Sequence, residues 1–265
     1  MHKTSWVWGL VGISILSFSV VYANDEFPHR TKFKDVKIIS LDQLTKDRSK
    51  FTVVDVRSRY EYDTLHIEGA RHIPINHEQF SGLTKKLHDE TGKPVVFYCN
   101  GRTCAKSYKA ARQAKLGGVK DVYAFDAGVF DWAKSNPIDT VLLGKVSISV
   151  SDLISKEKLN KHMLSPKEFG NRIDGNAILV DVRDKAQRDI ILFPYREEKI
   201  TLHEEEEFNS LVKKAKRENK TLLIYDKVGK QVRWIQYRLE KQGVKKYFFM
   251  KGGAEGFFKD ILGAS

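Results

Sequence analysis

Residues Pro94–Ser107 read PVVFYCNGRTCAKS. Val95, Val96, Phe97 and Tyr98 are a short apolar, β-favouring run, as expected of a strand buried on both faces. Cys99 follows at once, then the polar turn Asn100-Gly101-Arg102-Thr103, then Cys104. From Ala105 the residues favour helix: Lys106, Lys109, Ala110, Ala111, Arg112, Gln113 and Ala114. The local plan is strand, cysteine, loop, helix. A thiol at that point faces loop amides and the N-terminus of a helix, both of which stabilise negative charge and lower a thiol's pKa. This is a way to build a thiolate nucleophile.

Outward from that stretch, strands and helices alternate. Ser40 stands where a helix N-cap should, with Leu41 and Leu44 on one face. Thr52–Arg57 reads as a buried strand ending in charge, followed by a helix through Arg59–Tyr62. His66–Pro74 reads as a turn and short strand, Phe80–Glu90 as a helix, and Gly117-Gly118 as the stop of the helix after the cysteines. Val119–Phe125 is the next expected strand, and Ala127–Trp132 turns into a helix. Alternation of this kind predicts an α/β fold, a mostly parallel sheet with helices on both faces.

The second half repeats the first. Asp181-Val182-Arg183 echoes Asp55-Val56-Arg57, 126 positions on, and Thr221–Asp226 echoes Pro94–Cys99. Gln242–Tyr247 echoes Gly117–Val122, and Lys251–Phe257 echoes Ala127–Trp132. The copies differ where chemistry would be done: Asp226 stands in the place of Cys99. Cys99 to Gly118 spans 19 positions and Asp226 to Gly243 spans 17, so the second loop is shorter. A carboxylate cannot form a persulfide or a thioester, so the second copy reads as structural or binding. The expected division is a signal peptide at 1–23, an active unit at 24–140 and an inactive one at 141–265, with a linker around Pro137–Ser151.

Composition sets the outer bounds. The 265 residues suffice for two domains, and 41% hydrophobic with 30% charged residues is a globular balance. The net charge is +12, an excess that could attract nucleic acid, anionic lipid or small anions, but the basic residues are scattered among acids and form no nucleic-acid motif, so the expectation is a soluble basic protein in an anion-rich compartment. His2 and Lys3 precede the uncharged run Trp6–Tyr22, and Val21-Tyr22-Ala23 fits a secretory cleavage pattern. The run is short of the roughly 20 residues that span a membrane. Export to a bacterial periplasm is the expectation, with a membrane-anchored form facing the same compartment if the segment stays uncleaved. The chain has two cysteines, Cys99 and Cys104, both in one loop, unlike a disulfide framework and too few for a structural zinc site. No metal or cofactor is expected.

Taken together, Asp55-Val56-Arg57, Glu61-Tyr62, His66-Ile67-Glu68-Gly69-Ala70, Ile73-Pro74, the strand ending in Cys99, and the closing turn Gly128–Trp132 resemble the rhodanese superfamily. The series covers about a hundred residues and is specific as a set. The duplicated arrangement resembles the tandem two-domain sulfurtransferases, in which the active cysteine usually lies in the C-terminal copy; here it lies in the N-terminal one. The resemblance implies two tandem three-layer rhodanese-like domains. It implies that Cys99 takes sulfane sulfur from thiosulfate, a persulfide or a polysulfide, holds it as a persulfide, and passes it to cyanide or a thiol, with a protein acceptor open. On that reading Asn100, Gly101, Arg102, Thr103, Cys104 and Ala105 form the substrate-binding loop, Arg102 holding the anion and Lys106 adding to the field. Two departures stand out. Ser107 and Ala110-Ala111 come two positions later than in many small rhodaneses. The cell-cycle phosphatases, which share a longer loop, end it with an arginine where Ala105 stands here, which argues against phosphatase activity. Cys104 either packs, resolves the persulfide or bonds to Cys99. Two other readings stay open: a thiol-disulfide redox protein using Cys99 and Cys104, and a non-catalytic sulfur carrier or docking scaffold. Asp55 and Arg57 read as ties at the sheet edge, His66 and His72 as structural, and Glu204–Glu207 as a solvated helix start.

Overall fold

The computed structural model describes residues 26–261 and 263, so the leader expected at 1–23 lies outside the described residues. The first unit contains β1 (Lys37–Ile38), α1 (Leu41–Lys46), β2 (Thr52–Asp55), α2 (Arg59–Thr64), β3 (Leu65–Ile67), β4 (Arg71–His72), α3 (Phe80–Thr91), β5 (Val95–Tyr98), α4 (Lys106–Leu116), β6 (Val122–Phe125) and α5 (Gly128–Ser135). A connecting segment holds β7 (Thr140–Leu142) and β8 (Lys145–Val146). The second unit contains α6 (Lys156–Asn160), β9 (Met163–Leu164), α7 (Pro166–Asn171), β10 (Ala177–Asp181), β11 (Glu197–Lys199), α8 (Glu205–Arg217), β12 (Thr221–Tyr225), α9 (Val232–Lys241), β13 (Tyr247–Met250) and α10 (Gly253–Ile261).

Each unit is built on a five-stranded sheet, in the orders β1-β6-β5-β2-β4 and β11-β10-β12-β13-β9. Every pairing within both sheets is parallel. The central strands β2 and β5 are buried along their whole length, which is why they are written as unbroken apolar runs rather than alternating ones. The expected α/β class and tandem three-layer arrangement are both present. Ser40 caps α1 by accepting from the Gln43 amide, and Gly92 ends α3 in the left-handed conformation. β6 starts three residues later than its apolar run suggests: the Val119 amide donates to the Ala114 carbonyl and closes α4 instead of entering the sheet.

Three cores follow from the layering. One lies between the first sheet and helices α3 and α4, around Phe80, Phe97, Tyr108 and Ala111. Another lies between the second sheet and helices α7 and α10, around Phe169, Tyr225 and Met250. The largest is shared by the two units and runs from Val96, Tyr98 and Trp132 to Trp234, Ile224 and Phe208. The expected linker is an ordered part of this junction: β3, β7 and β8 form a three-stranded antiparallel sheet. Its hairpin turns on Leu143 and Gly144, both at positive φ, the conformation a two-residue turn requires.

Candidate active site

Cys99 follows β5 at the carboxyl edge of the first sheet and is fully buried; Cys104 is half-buried. The Val129 amide donates to the Cys99 carbonyl at 2.9 Å, and Phe130 to that of Asn100 at 3.4 Å, so the start of α5 grips the backbone of the loop. This grip requires glycine at 128. Gly128 has φ +70°, and a Cβ there would stand 2.6 Å from Gly101 Cα and 2.7 Å from the Asn100 carbonyl carbon. Gly101 then accepts from the Cys104 amide at 2.9 Å, a turn that folds the loop back on itself. The result is a disulfide between Cys99 and Cys104, with Cα atoms 6.4 Å apart. Ser107, in the first turn of α4, is buried with its Oγ 3.8 Å from Cys99 Sγ.

A second tier holds the loop from below. Arg57 is fully buried against Asp55, donating from Nε at 2.9 Å and Nη2 at 2.6 Å. Burial alone would pull the Arg57 guanidinium down, but the Asp55 charge and hydrogen bonds outweigh it and raise it. Its Nη2 also donates to the Leu65 carbonyl at 2.5 Å, and its Nη1 to Asn100 Oδ1 at 3.1 Å. Asn100 in turn donates from Nδ2 to Glu61 Oε1 at 2.8 Å. Glu61 is the far end of a capping box with Ser58 at the start of α2. Burial pushes the Glu61 carboxyl up, but Arg57, then Lys106, and the Asn100 hydrogen bond hold it below the ordinary glutamate value. The rings of His66 and His72, read as structural, both stack on Tyr62, at 4.0 and 4.8 Å.

The structure distributes the expected loop residues over distinct tasks. Asn100 is committed to Arg57 and Glu61, and Gly101 makes the close approach to Gly128. Arg102, read as the anion holder, is already paired with two carboxylates, Asp131 at 2.7 Å and Glu26. The Thr103 carbonyl lies 3.0 Å from His29 Nε2, so the lead-in segment before β1 packs on the loop rim. Ala105 precedes α4, and Lys106 is exposed. Sequence reasoning missed Glu61 and Gly128 as loop supports. The Ser58-x-x-Glu61 spacing was a signal for the first; nothing local distinguishes Gly128 from a simple turn glycine.

The second unit also reaches this site. Its Trp234 stacks on Phe130 with centroids 5.1 Å apart and lies 5.2 Å from the Arg57 guanidinium. Arg233 lies over Phe130 at 3.6 Å and Arg238 over Tyr60 at 4.3 Å. In its own loop the Asp226 carboxylate accepts from the amides of Gly229 and Gln231, the latter at 2.5 Å. Among the described residues, no group of three or more acidic, His or Cys side chains is arranged to hold a metal, and no helix is long and apolar enough to cross a membrane.

Comparison with known proteins agrees with this geometry. The chain is 28% identical over 117 residues to the tRNA uridine(34) hydroxylase of Buchnera aphidicola, covering 41% of this chain and 37% of that protein. It is 35% identical over 96 residues to the probable adenylyltransferase/sulfurtransferase MoeZ of Mycobacterium tuberculosis, covering 35% of this chain and 23% of that one. It thus spans well under half the length of these relatives. Among solved structures, the thiosulfate sulfurtransferase of Pseudomonas aeruginosa aligns over 87% of this chain and 43% of its own, at 16% identity and a TM-score of 0.38. The BH2092 protein of Bacillus halodurans aligns over 52% of this chain and 98% of its own, at 26% identity and a TM-score of 0.37. The profile of the rhodanese-like domain matches residues 40–135 and again 165–260, one match per sheet. The chain belongs to the rhodanese-like domain family and carries two copies of that domain in tandem.

Proposed function

We propose that this protein is a sulfurtransferase that carries sulfane sulfur as a persulfide on Cys99. Family membership and the MoeZ relative support a sulfurtransferase-like role. The observation that carries the finer reading is the position of Cys99, buried between the end of β5 and the start of α4 with its backbone gripped by α5. The equivalent point of the second copy supports it, because there the loop amides wrap a carboxylate. A loop at this place in the fold presents N–H groups to an anion, which is what a persulfide needs.

In the forward half-reaction the Cys99 thiolate attacks the outer sulfur of thiosulfate. The donor's S–S bond breaks and sulfite leaves with the electron pair. In the return half-reaction cyanide attacks the outer sulfur of the persulfide, giving thiocyanate and freeing the thiolate. Arg57 and Glu61 act as positioning residues through Asn100. The second unit serves as a buttress through Trp234. Export, proposed from the Trp6–Ala23 pattern, is checked by cell fractionation. The function is tested with the reduced full chain: it should form thiocyanate from thiosulfate and cyanide, and Cys99→Ala should not. Full turnover by Cys99→Ala would refute it.

A further inference from the structure

The chain has two cysteines, and they are bonded to each other across one loop. The fold of that loop does not depend on the bond alone. The Cys104 amide donates to the Gly101 carbonyl at 2.9 Å, and the Gly128 contact fixes Gly101, so the backbone itself returns Cys104 to Cys99. The second copy has Asp226 in place of Cys99, a loop of five residues before α9 against six before α4, and no counterpart of Cys104. A transfer enzyme that hands sulfur to a dissolved acceptor needs only the first cysteine. The longer loop brings a second thiol within bonding reach of the first, which turns a bimolecular discharge into an intramolecular one.

We propose, resting on the persulfide reading above, that Cys104 is the resolving thiol of Cys99 and that the protein is thereby a dithiol-dependent sulfane-sulfur reductase that releases hydrosulfide. After sulfite departs, Cys99 carries one extra sulfur. The Cys104 thiolate attacks the inner sulfur, Cys99 Sγ; the bond from Sγ to the outer sulfur breaks, and the outer sulfur leaves with the electron pair as hydrosulfide. The Cys99–Cys104 disulfide seen in the structure is the product of that step. A dithiol reductant then opens it by thiol–disulfide exchange, restoring both thiols and becoming a disulfide itself. Over one cycle the dithiol supplies two electrons, which reduce the outer sulfur of thiosulfate to hydrosulfide. Ser107 Oγ, 3.8 Å from Cys99 Sγ, is placed to donate a hydrogen bond to the sulfur while it is anionic. Cyanide competes with Cys104 for the persulfide and bypasses the disulfide.

The test is a single turnover of the full chain, reduced, freed of reductant and kept under argon, with thiosulfate as donor. The parent protein should release sulfite and hydrosulfide in equal amounts, and its intact mass should end two hydrogens below that of the reduced chain. Cys104→Ser should release sulfite, gain one sulfur atom and release no hydrosulfide. Subsequent cyanide should discharge that variant as thiocyanate, which also shows that it is folded. A parent chain that keeps its sulfur as the variant does, or a variant that releases hydrosulfide as fast as the parent, overturns the resolving role while leaving Cys99 as carrier. If neither chain takes sulfur from thiosulfate or from a low-molecular-weight persulfide, carriage on Cys99 fails and the resolving step falls with it.

Discussion

The Cys99 loop and the Asp226 loop are two versions of one device. In each, the first turn of the helix that closes the unit, α5 or α10, grips the backbone at the strand end: Val129 donates to Cys99 at 2.9 Å, and Ala254 to Asp226 at 2.8 Å. In each, a glycine at positive φ permits the approach, Gly128 at +70° and Gly253 at +59°. In each, a buried Asp-x-Arg pair lies beside a tyrosine, Asp55 and Arg57 with Tyr98, and Asp181 and Arg183 with Tyr225. What differs is the residue at the end of the strand and the length of the loop after it, six residues before α4 and five before α9. The Asp226 carboxylate fills its own loop and satisfies the amides there, whereas the Cys99 loop carries a second sulfur instead. The lesson is that the gripped turn belongs to the fold and is kept where the cysteine is not; what stands at its centre is free to differ.

The largest expected difference between the two loops is in turnover. Cys99→Ala should reduce thiocyanate formation to the uncatalysed background, while Asp226→Ala should leave it unchanged; equal losses in initial-rate assays would break the comparison. Next comes the wall between the units. Trp234→Ala removes a buried indole and should destabilise the chain by about 3–5 kcal/mol in urea unfolding, with a smaller fall in turnover through Arg57. The two glycines come third. Gly128→Ala and Gly253→Ala should each cost at least about 1–2 kcal/mol, the penalty of a side chain in the left-handed region, but only Gly128→Ala should slow turnover. A fall in rate from Gly253→Ala would mean that the second loop is not inert.

The smallest effect is in pH dependence, and its sign separates the loops. Glu61 is held below its ordinary value of 4.5, so its stabilisation is present above that value and is lost as pH falls through its folded value. Burial pushes Asp226 above its ordinary value of 3.8, against the pull of the amides of Gln231 and Gly229. Its contribution is therefore present below 3.8 and is lost as pH rises through the raised folded value. Unfolding free energies measured across the acid range for Glu61→Gln and Asp226→Asn, each subtracted from the parent curve, should slope in opposite directions. Parallel slopes would refute the contrast.

Much of the scaffold is legible in the sequence because it is local or periodic. The runs Val95–Tyr98 and Leu222–Tyr225 announce buried strands, Ser40 announces its helix, and the duplication shows in matched landmarks. Cys99, the proposed nucleophile, and its loop are equally local. What escapes is set by residues distant in the chain. Arg102 reads as a free cation until Asp131 and Glu26 are seen beside it. Asn100 reads as a loop residue until it is seen between Arg57 and Glu61, 43 and 39 positions away. The meeting of Phe130 with Trp234 has no mark in either segment, because it exists only once both units have folded.

That meeting has a consequence for synthesis. The chain is made from its N-terminus, and domains generally fold as units in that order. The first unit is complete at Ser135, but the aromatic partner of Phe130 and the guanidinium over Tyr60 lie at Trp234 and Arg238, about a hundred residues later. Until that stretch emerges, Phe130 and Tyr60 of the nascent protein lack these partners. A chain arrested between the two units would leave those rings uncovered, so the second copy also serves the first as the cover of its aromatic face.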